Sequence, residues 1–269
     1  EGVAKIAGRE LQEWSRPLVR PELYAAYARF EFDGLDKDGK FQSKVYLATK
    51  AFSDETSSLD GVTDWSKREI SGPFTQNQGT AITVDPLNGD VYVFWRHFFK
   101  PDTMVFAKGS ASAAANARLG KPQALFSDAM STFDQPSVPI TFGADNLAFR
   151  ANAFATAAVA ADAETQESRV FAAWHERVDP AGHPAAVGGS PRIVLTSSSD
   201  GGDSWTPRTA VDMGDRPAEP EGLGYANGVT RPSFPQVYPS LNFGGGQLML
   251  VYFEARGEVG PSGFITGYN

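Results

Sequence analysis

Charged and amide side chains recur at matching places along this sequence, and they are its candidates for chemistry. Arg96, Arg150, Arg177, Arg231 and Arg256 stand near the ends of apolar runs, and Glu176 and Glu254 lie just beyond the aromatic anchors Trp174 and Tyr252. A guanidinium presents a planar fork that can hold a carboxylate through two parallel hydrogen bonds. Gln76, Asn152 and Gln236 each precede an apolar run. A primary amide both donates and accepts, which suits a sugar hydroxyl or a peptide group. Both sets also have a plainer explanation. Charges recur wherever strand ends meet solvent, and a repeated amide can hydrogen-bond the neighbouring structural unit. An active site uses each position once, whereas recurrence is a property of the repeat.

Other chemistries find little support. There is no cysteine, so disulfides, thiolate metal sites and a cysteine nucleophile are excluded. His97, His175 and His183 have no metal-ligand spacing. Asp33-Gly-Leu-Asp36-Lys-Asp38-Gly39 hints at a calcium loop, but Gly34 and Val45 stand where the first and closing ligands belong, so a hairpin loop explains it better. No phosphate loop, dinucleotide fingerprint or nucleophile elbow occurs in a workable place. We expect no metal and no cofactor. The formal net charge of -8 without a Lys/Arg run argues against nucleic acid as a partner. No apolar stretch is long enough to span a membrane. The sequence opens at Glu1 without a charged segment followed by an apolar one, so any signal peptide is expected to be absent or already removed.

The elements that must position these residues repeat. Phe74 to Val84, Arg150 to Ala160 and Phe234 to Phe243 are similar strand-forming runs. Each leads through a turn, such as Asp85 to Asp90 or Gly244 to Gly246, into a second run containing Trp95, Trp174 or Tyr252. Thr103 to Lys108 and Arg192 to Ser198 form third strands. A weaker copy opens the chain, with Leu23 to Tyr27 as its second strand and Lys44 to Thr49 as its third. Tyr27, Trp95, Trp174 and Tyr252 recur roughly every seventy to eighty residues. That exceeds a blade of about 40–50 residues, which implies insertions at Ser127 to Asn146 and Asp179 to Ser190. A short antiparallel meander cannot bury both faces alone and must stack on neighbours. Radial stacking gives a propeller; a β-sandwich is the competing all-β solution, but here a whole meander repeats. The expected fold is therefore an all-β propeller of four-stranded antiparallel blades. Residues 1–269 form one domain, with blades near 20–73, 74–130, 148–212 and 232–269. Too few blades are present to close a ring and abolish its edges, so the remaining blades are expected from residues beyond these.

Ser198-x-Asp200-x-Gly202-x-x-Trp205 satisfies the Asp-box pattern S-x-D-x-G-x-x-W at every specified position, directly after a third strand. Ser and Asp can satisfy backbone N–H groups in the turn, Gly202 permits positive φ, and Trp205 can bury its ring against the blade. Ser58-Leu-Asp60-Gly-Val-Thr-Asp-Trp65 is a degenerate copy with its glycine one position early. The motif and the repeat resemble the bacterial sialidase and BNR-repeat superfamily, most closely its exported members, over Gln76 to Arg256. The resemblance implies an Asp-box that is structural and remote from the active site. It also implies, for the enzymes, three arginines clamping a carboxylate, a Tyr–Glu pair and an acid/base Asp, an exception to the usual two-carboxylate scheme. Clamp candidates are then Arg96, Arg150, Arg231 and Arg256, with Glu176 and Glu254 as carboxylates, and Gln76, Asn152 and Gln236 as channel-lining binding residues. The family's Arg-Ile-Pro motif is absent; Arg16-Pro17 and Arg20-Pro21 are its nearest approximations. Two functions follow as expectations. One is a non-catalytic, secreted or cell-surface propeller that binds a protein or glycan partner. The alternative is a sialidase-type exo-glycoside hydrolase acting on sialylated glycans.

Overall fold

A computed structural model describes residues 5–6, 9–10, 22–35, 41–51, 65–98, 101–110, 118–132, 152–185, 190–212 and 236–254. Every regular element among them is a strand. In chain order these are β1 (Lys5–Ile6), β2 (Arg9–Glu10), β3 (Glu22–Leu35), β4 (Phe41–Ala51), β5 (Ser66–Glu69), β6 (Asn77–Val84), β7 (Asp90–His97) and β8 (Thr103–Ser110). They continue as β9 (Arg118–Leu119), β10 (Gln123–Ala124), β11 (Thr156–Asp162), β12 (Glu167–Val178), β13 (Ser190–Ser198), β14 (Thr209–Ala210), β15 (Gln236–Gly244) and β16 (Gln247–Glu254).

Apart from the small β1–β2 pair, four antiparallel meanders follow one another along the chain. Sheet one is β3-β4-β5. Sheet two is β6-β7-β8 with β9 and β10 both on β8, sheet three is β11-β12-β13-β14, and sheet four is β15-β16. Among the described residues no sheet closes on itself. Strands β3, β6, β11 and β15 contact one another in that order. In the first sheet Tyr27 pairs with Tyr46 as Trp174 pairs with Val194, and Val45 and Leu47 of β4 enter a core as Ile193 and Leu195 of β13 do. Tyr27, expected to match Trp95, is 36% exposed.

Strand alternation explains the stacking. Side chains of one strand point to opposite faces with period two, and both faces of the middle sheets are apolar. Val91, Val93 and Trp95 on one face of β7 join Val45, Leu47 and Ile70 of the first sheet region in one core. Tyr92 and Phe94 on its other face join Val170, Ala172 and Trp174 of β12 in a second. Ala173 and Ile193 then meet Leu241, Phe243 and Leu250 of the last sheet in a third. Each fully buried large side chain contributes about 1.5–3 kcal/mol relative to exposure. Trp95 and Trp174 are wholly buried, and their indole N–H groups are satisfied. Trp95 Nε1 donates to Asn77 Oδ1 at 3.0 Å, and Trp174 Nε1 to Glu176 Oε2 at 3.0 Å. On β16 the alternation continues with only one face covered, leaving Met249, Val251 and Phe253 exposed.

One irregularity repeats. The β6–β7 register slips between Gln78 and Ala81, and the β15–β16 register slips between Val237 and Ser240. Both bulges carry a residue of positive φ at the same place, Gly79 at 68° and Tyr238 at 54°. Phe154 supplies the reason Gly79 has no side chain, because a Cβ there would lie 2.1 Å from the Phe154 ring.

Candidate functional site

Because every sheet is an up-and-down meander, side chains gather at two opposite ends. One end holds the starts of β6 and β15 and the finishes of β7, β12 and β16. The other holds the hairpin turns and the Asp-box.

The charged candidates lie at the first end, and those described are tied inside the fold. Arg96 is 1% exposed. Its Nε and Nη2 donate to Asp102 Oδ1 and Oδ2 at 2.9 and 2.6 Å, and its guanidinium lies 4.2 Å from the Phe98 ring centroid. Glu176 is fully buried. Its carboxylate accepts from Ser131 N at 2.6 Å, from Trp174 Nε1, and from Arg208 Nε at 2.9 Å. Arg208 also donates to both oxygens of Asp128, at 3.1 and 2.8 Å, and sits over Phe126 at 4.6 Å. Burial works against the Arg208 charge, yet the hydrogen bonds and charges of Asp128 and Glu176 outweigh it and hold its pKa above the usual value. The bond from Arg208 holds the Asp128 carboxyl below its ordinary range. The Arg208–Glu176 pair is buried and Asp128 closes it from the exposed side, so that together they join β12, the residue before β14 and the segment after β10. Glu254 is half-buried at the end of β16, opposite Gln236 in the register. Arg177 is half-buried beside Glu176. Arg150, Arg231 and Arg256 lie outside the described residues, as do Arg16 and Arg20.

The amides also act between sheets, with one shift of position. Counting from the bulges and from Trp95, Trp174 and Tyr252, the residue equivalent to Asn152 and Gln236 is Asn77, not Gln76. Asn77 is fully buried and its Nδ2 donates to Ser43 O at 2.7 Å and Phe74 O at 2.8 Å. Gln236 is fully buried and its Oε1 accepts from Ile193 N of the preceding sheet at 3.2 Å. Gln76 is half-buried and bridges to Ser43; Asn152 is half-buried. Burial holds the His97 pKa below its usual value, with only partial compensation from a hydrogen bond to the Gln76 backbone.

At the turn end the Asp-box is formed. Gly202 N donates to Ser198 Oγ at 2.7 Å, and Ser198 Oγ donates to Asp200 Oδ1 at 2.7 Å. Asp200 Oδ1 accepts from Ser204 N at 2.9 Å, and its Oδ2 from Ser204 Oγ. These donors hold the Asp200 carboxyl far below its ordinary range. Gly201 and Gly202 have φ of 72° and 98°. Trp205 packs edge-on against Phe94 and Phe106 of sheet two, at 5.8 and 5.3 Å between centroids. The motif therefore fastens sheet three to sheet two. Beside it the Asp85 turn is tied to β12 through Ser168 Oγ, which donates to Asp85 Oδ2 at 2.5 Å.

Between these turns opens a cleft of about 1020 Å³. Tyr92, Gln166, Arg169, Ser199 and Phe243 are among the residues lining it, drawn from sheets two, three and four. Arg169 and Ser199 are exposed. Sequence reasoning missed this cleft because its walls are strand-end and turn residues of three sheets, brought together only by stacking. Among the described residues no group of three or more His, Asp or Glu could hold a metal ion. No helix there is long and apolar enough to cross a membrane.

No family model matches the sequence, and no curated protein matches it. Among solved structures, an ulvan lyase of polysaccharide lyase family PL25 aligns with a TM-score of 0.42 and 15% identity, over 91% of this chain and 51% of that one. A PL25 ulvan lyase bound to -[GlcA(1-4)Rha3S]- aligns with the same score and coverage at 14% identity. This chain spans about half the length of those lyases.

Proposed function

We propose that this chain is a run of sialidase-like β-propeller blades, exported or displayed at a cell surface, that binds a glycan without catalysing its cleavage. Supporting the propeller reading, β3, β6, β11 and β15 stand in a row and each middle sheet buries both faces against its neighbours. Radial stacking of such meanders closes into a ring when blades suffice. The observation that carries the binding reading is the cleft at the turn end. It is concave, crosses three sheets, and combines the half-buried Phe243 ring with hydroxyl, amide and guanidinium groups. Sugar sites need that mixture: ring faces for the apolar side of a pyranose and polar groups for its hydroxyls. The non-catalytic part is supported by Arg96 and Glu176. Both are enclosed in internal ion pairs at the opposite end of the sheets, and neither is offered to a substrate.

The test is a glycan array probed with the full chain, followed by calorimetry on the best ligand. Arg169→Ala should weaken that ligand about tenfold, the loss expected for one charge-assisted hydrogen bond. Release of a fluorogenic group from a sialoside, abolished by Arg150→Ala or Arg231→Ala, would overturn the non-catalytic reading. Binding to a protein partner with no glycan retained would replace the ligand class.

A further inference from the structure

Part of the cleft wall belongs to the boundary between sheets three and four. Alternation sends Val170, Ala172 and Trp174 of β12 toward sheet two, and Phe171 and Ala173 toward sheet four. Glu167 and Arg169 therefore share the face that meets sheet four. Across the β11–β12 hairpin, Asp162 stands directly opposite Glu167, and Ala160 opposite Arg169. Phe243 of β15 lines the same cleft from the last sheet, its ring half-buried. Asp162, Glu167 and Arg169 line it too and are exposed. Neither Glu167 nor Arg169 forms a side-chain hydrogen bond or ion pair with another described residue. Asp162 is held differently. Its Oδ1 accepts from Glu164 N at 2.8 Å and from Thr165 N at 3.3 Å. These bonds hold its carboxyl below the ordinary range, so it is ionised at neutral pH. Further blades would stack beyond sheets one and four and leave this boundary as it is.

A carboxylate and a guanidinium two residues apart on one strand face stand about 7 Å from each other at their Cα atoms. Long side chains at that spacing reach different hydroxyls of one sugar ring. Glu167 accepts from one hydroxyl and Arg169 donates to the oxygen of another, while the Phe243 ring takes the apolar side of the sugar. Charge then decides which sugars fit. The wall sets two carboxylates directly opposite each other against one cation, and the chain as a whole carries -8. An acidic substituent placed there meets net repulsion. We infer that the cleft takes an uncharged hexopyranose unit, hydrogen-bonded between Glu167 and Arg169, and rejects sugars bearing carboxylate or sulfate groups. This rests on the glycan-binding reading of the cleft and narrows it, with the repulsive carboxylates supplying the discrimination. A sialylated ligand is the opposite case, because it needs cations in excess.

The experiment probes the full chain on an array of neutral, uronate-bearing, sulfated and sialylated oligosaccharides, with calorimetry on the best of each class. The expected result is retention of uncharged oligosaccharides only. Glu167→Gln should weaken the best neutral ligand by about tenfold, the loss of one charge-assisted acceptor. Glu167→Lys should lose that ligand and gain acidic ones, in a manner that high salt suppresses. Thermal unfolding of each variant verifies that the fold persists, and Glu167→Gln serves where Glu167→Lys does not fold. Acidic glycans preferred by the parent chain and weakened by Arg169→Ala would overturn this inference while leaving the cleft a glycan site. Neutral ligands held equally well by Glu167→Gln would do the same. No glycan retained, or glycans held unchanged by Arg169→Ala, would overturn both readings.

Discussion

Removing the Glu176 carboxylate is the sharpest test of what holds the sheets in place. In Glu176→Ala, Arg208 keeps Asp128, but Trp174 Nε1 and Ser131 N lose their acceptor. Breaking a buried pair by deleting one partner costs about 3–5 kcal/mol, because the other charge stays buried. Asp128 still compensates Arg208, which places the expectation near the low end, about 3 kcal/mol. With a urea m-value of about 3 kcal/mol/M, the midpoint should fall by about 1 M at constant m. Glu176→Gln keeps the shape and an acceptor and should cost about 1.5–3 kcal/mol, the range of a charged hydrogen bond. Asp128 is the internal control. Its side chain is 64% exposed, so Asp128→Ala should cost about 1 kcal/mol or less, as exposed ion pairs do. Urea unfolding followed by tryptophan fluorescence measures all three. Equal costs for Glu176→Ala and Asp128→Ala, or a Glu176→Ala midpoint unchanged within error, would refute the structural assignment.

Trp205→Ala removes the Asp-box ring from Phe94 and Phe106 and should cost about 2–4 kcal/mol, below a fully buried aromatic because the ring is only partly covered; thermal unfolding reads it. Gly79→Ala drives a Cβ into the Phe154 ring at a positive φ, and overpacking plus the left-handed backbone should cost about 2–4 kcal/mol. Adding Phe154→Ala to it should give less than the sum of the single losses. The lowered His97 pKa means that the unfolded chain binds this proton first. Stability should therefore be full above about 6.5, the unfolded histidine value, and fall as pH drops toward the folded pKa. Urea midpoints against pH should show that decline, and His97→Gln should remove it.

Local features were legible and non-local ones were not. The Asp-box could be read because its bonds run from Ser198 to Ser204, within one turn. The strands around Trp95 and Trp174 could be read because apolar residues fill both alternating faces. The amide in sheet two was displaced by one position, since the bulge at Gly79 shifts the register and Gln76, Asn77 and Gln78 all carry amides. Glu176 looked available because Arg208 and Asp128 stand 32 and 80 residues apart from their partners in the network. Nothing local announces such pairings.

The three cores each span one pair of adjacent sheets. A substitution in one core therefore perturbs its own boundary and leaves the next boundary's side chains unchanged. Strain introduced at one boundary is thereby kept local, and each sheet need only fit the face beside it.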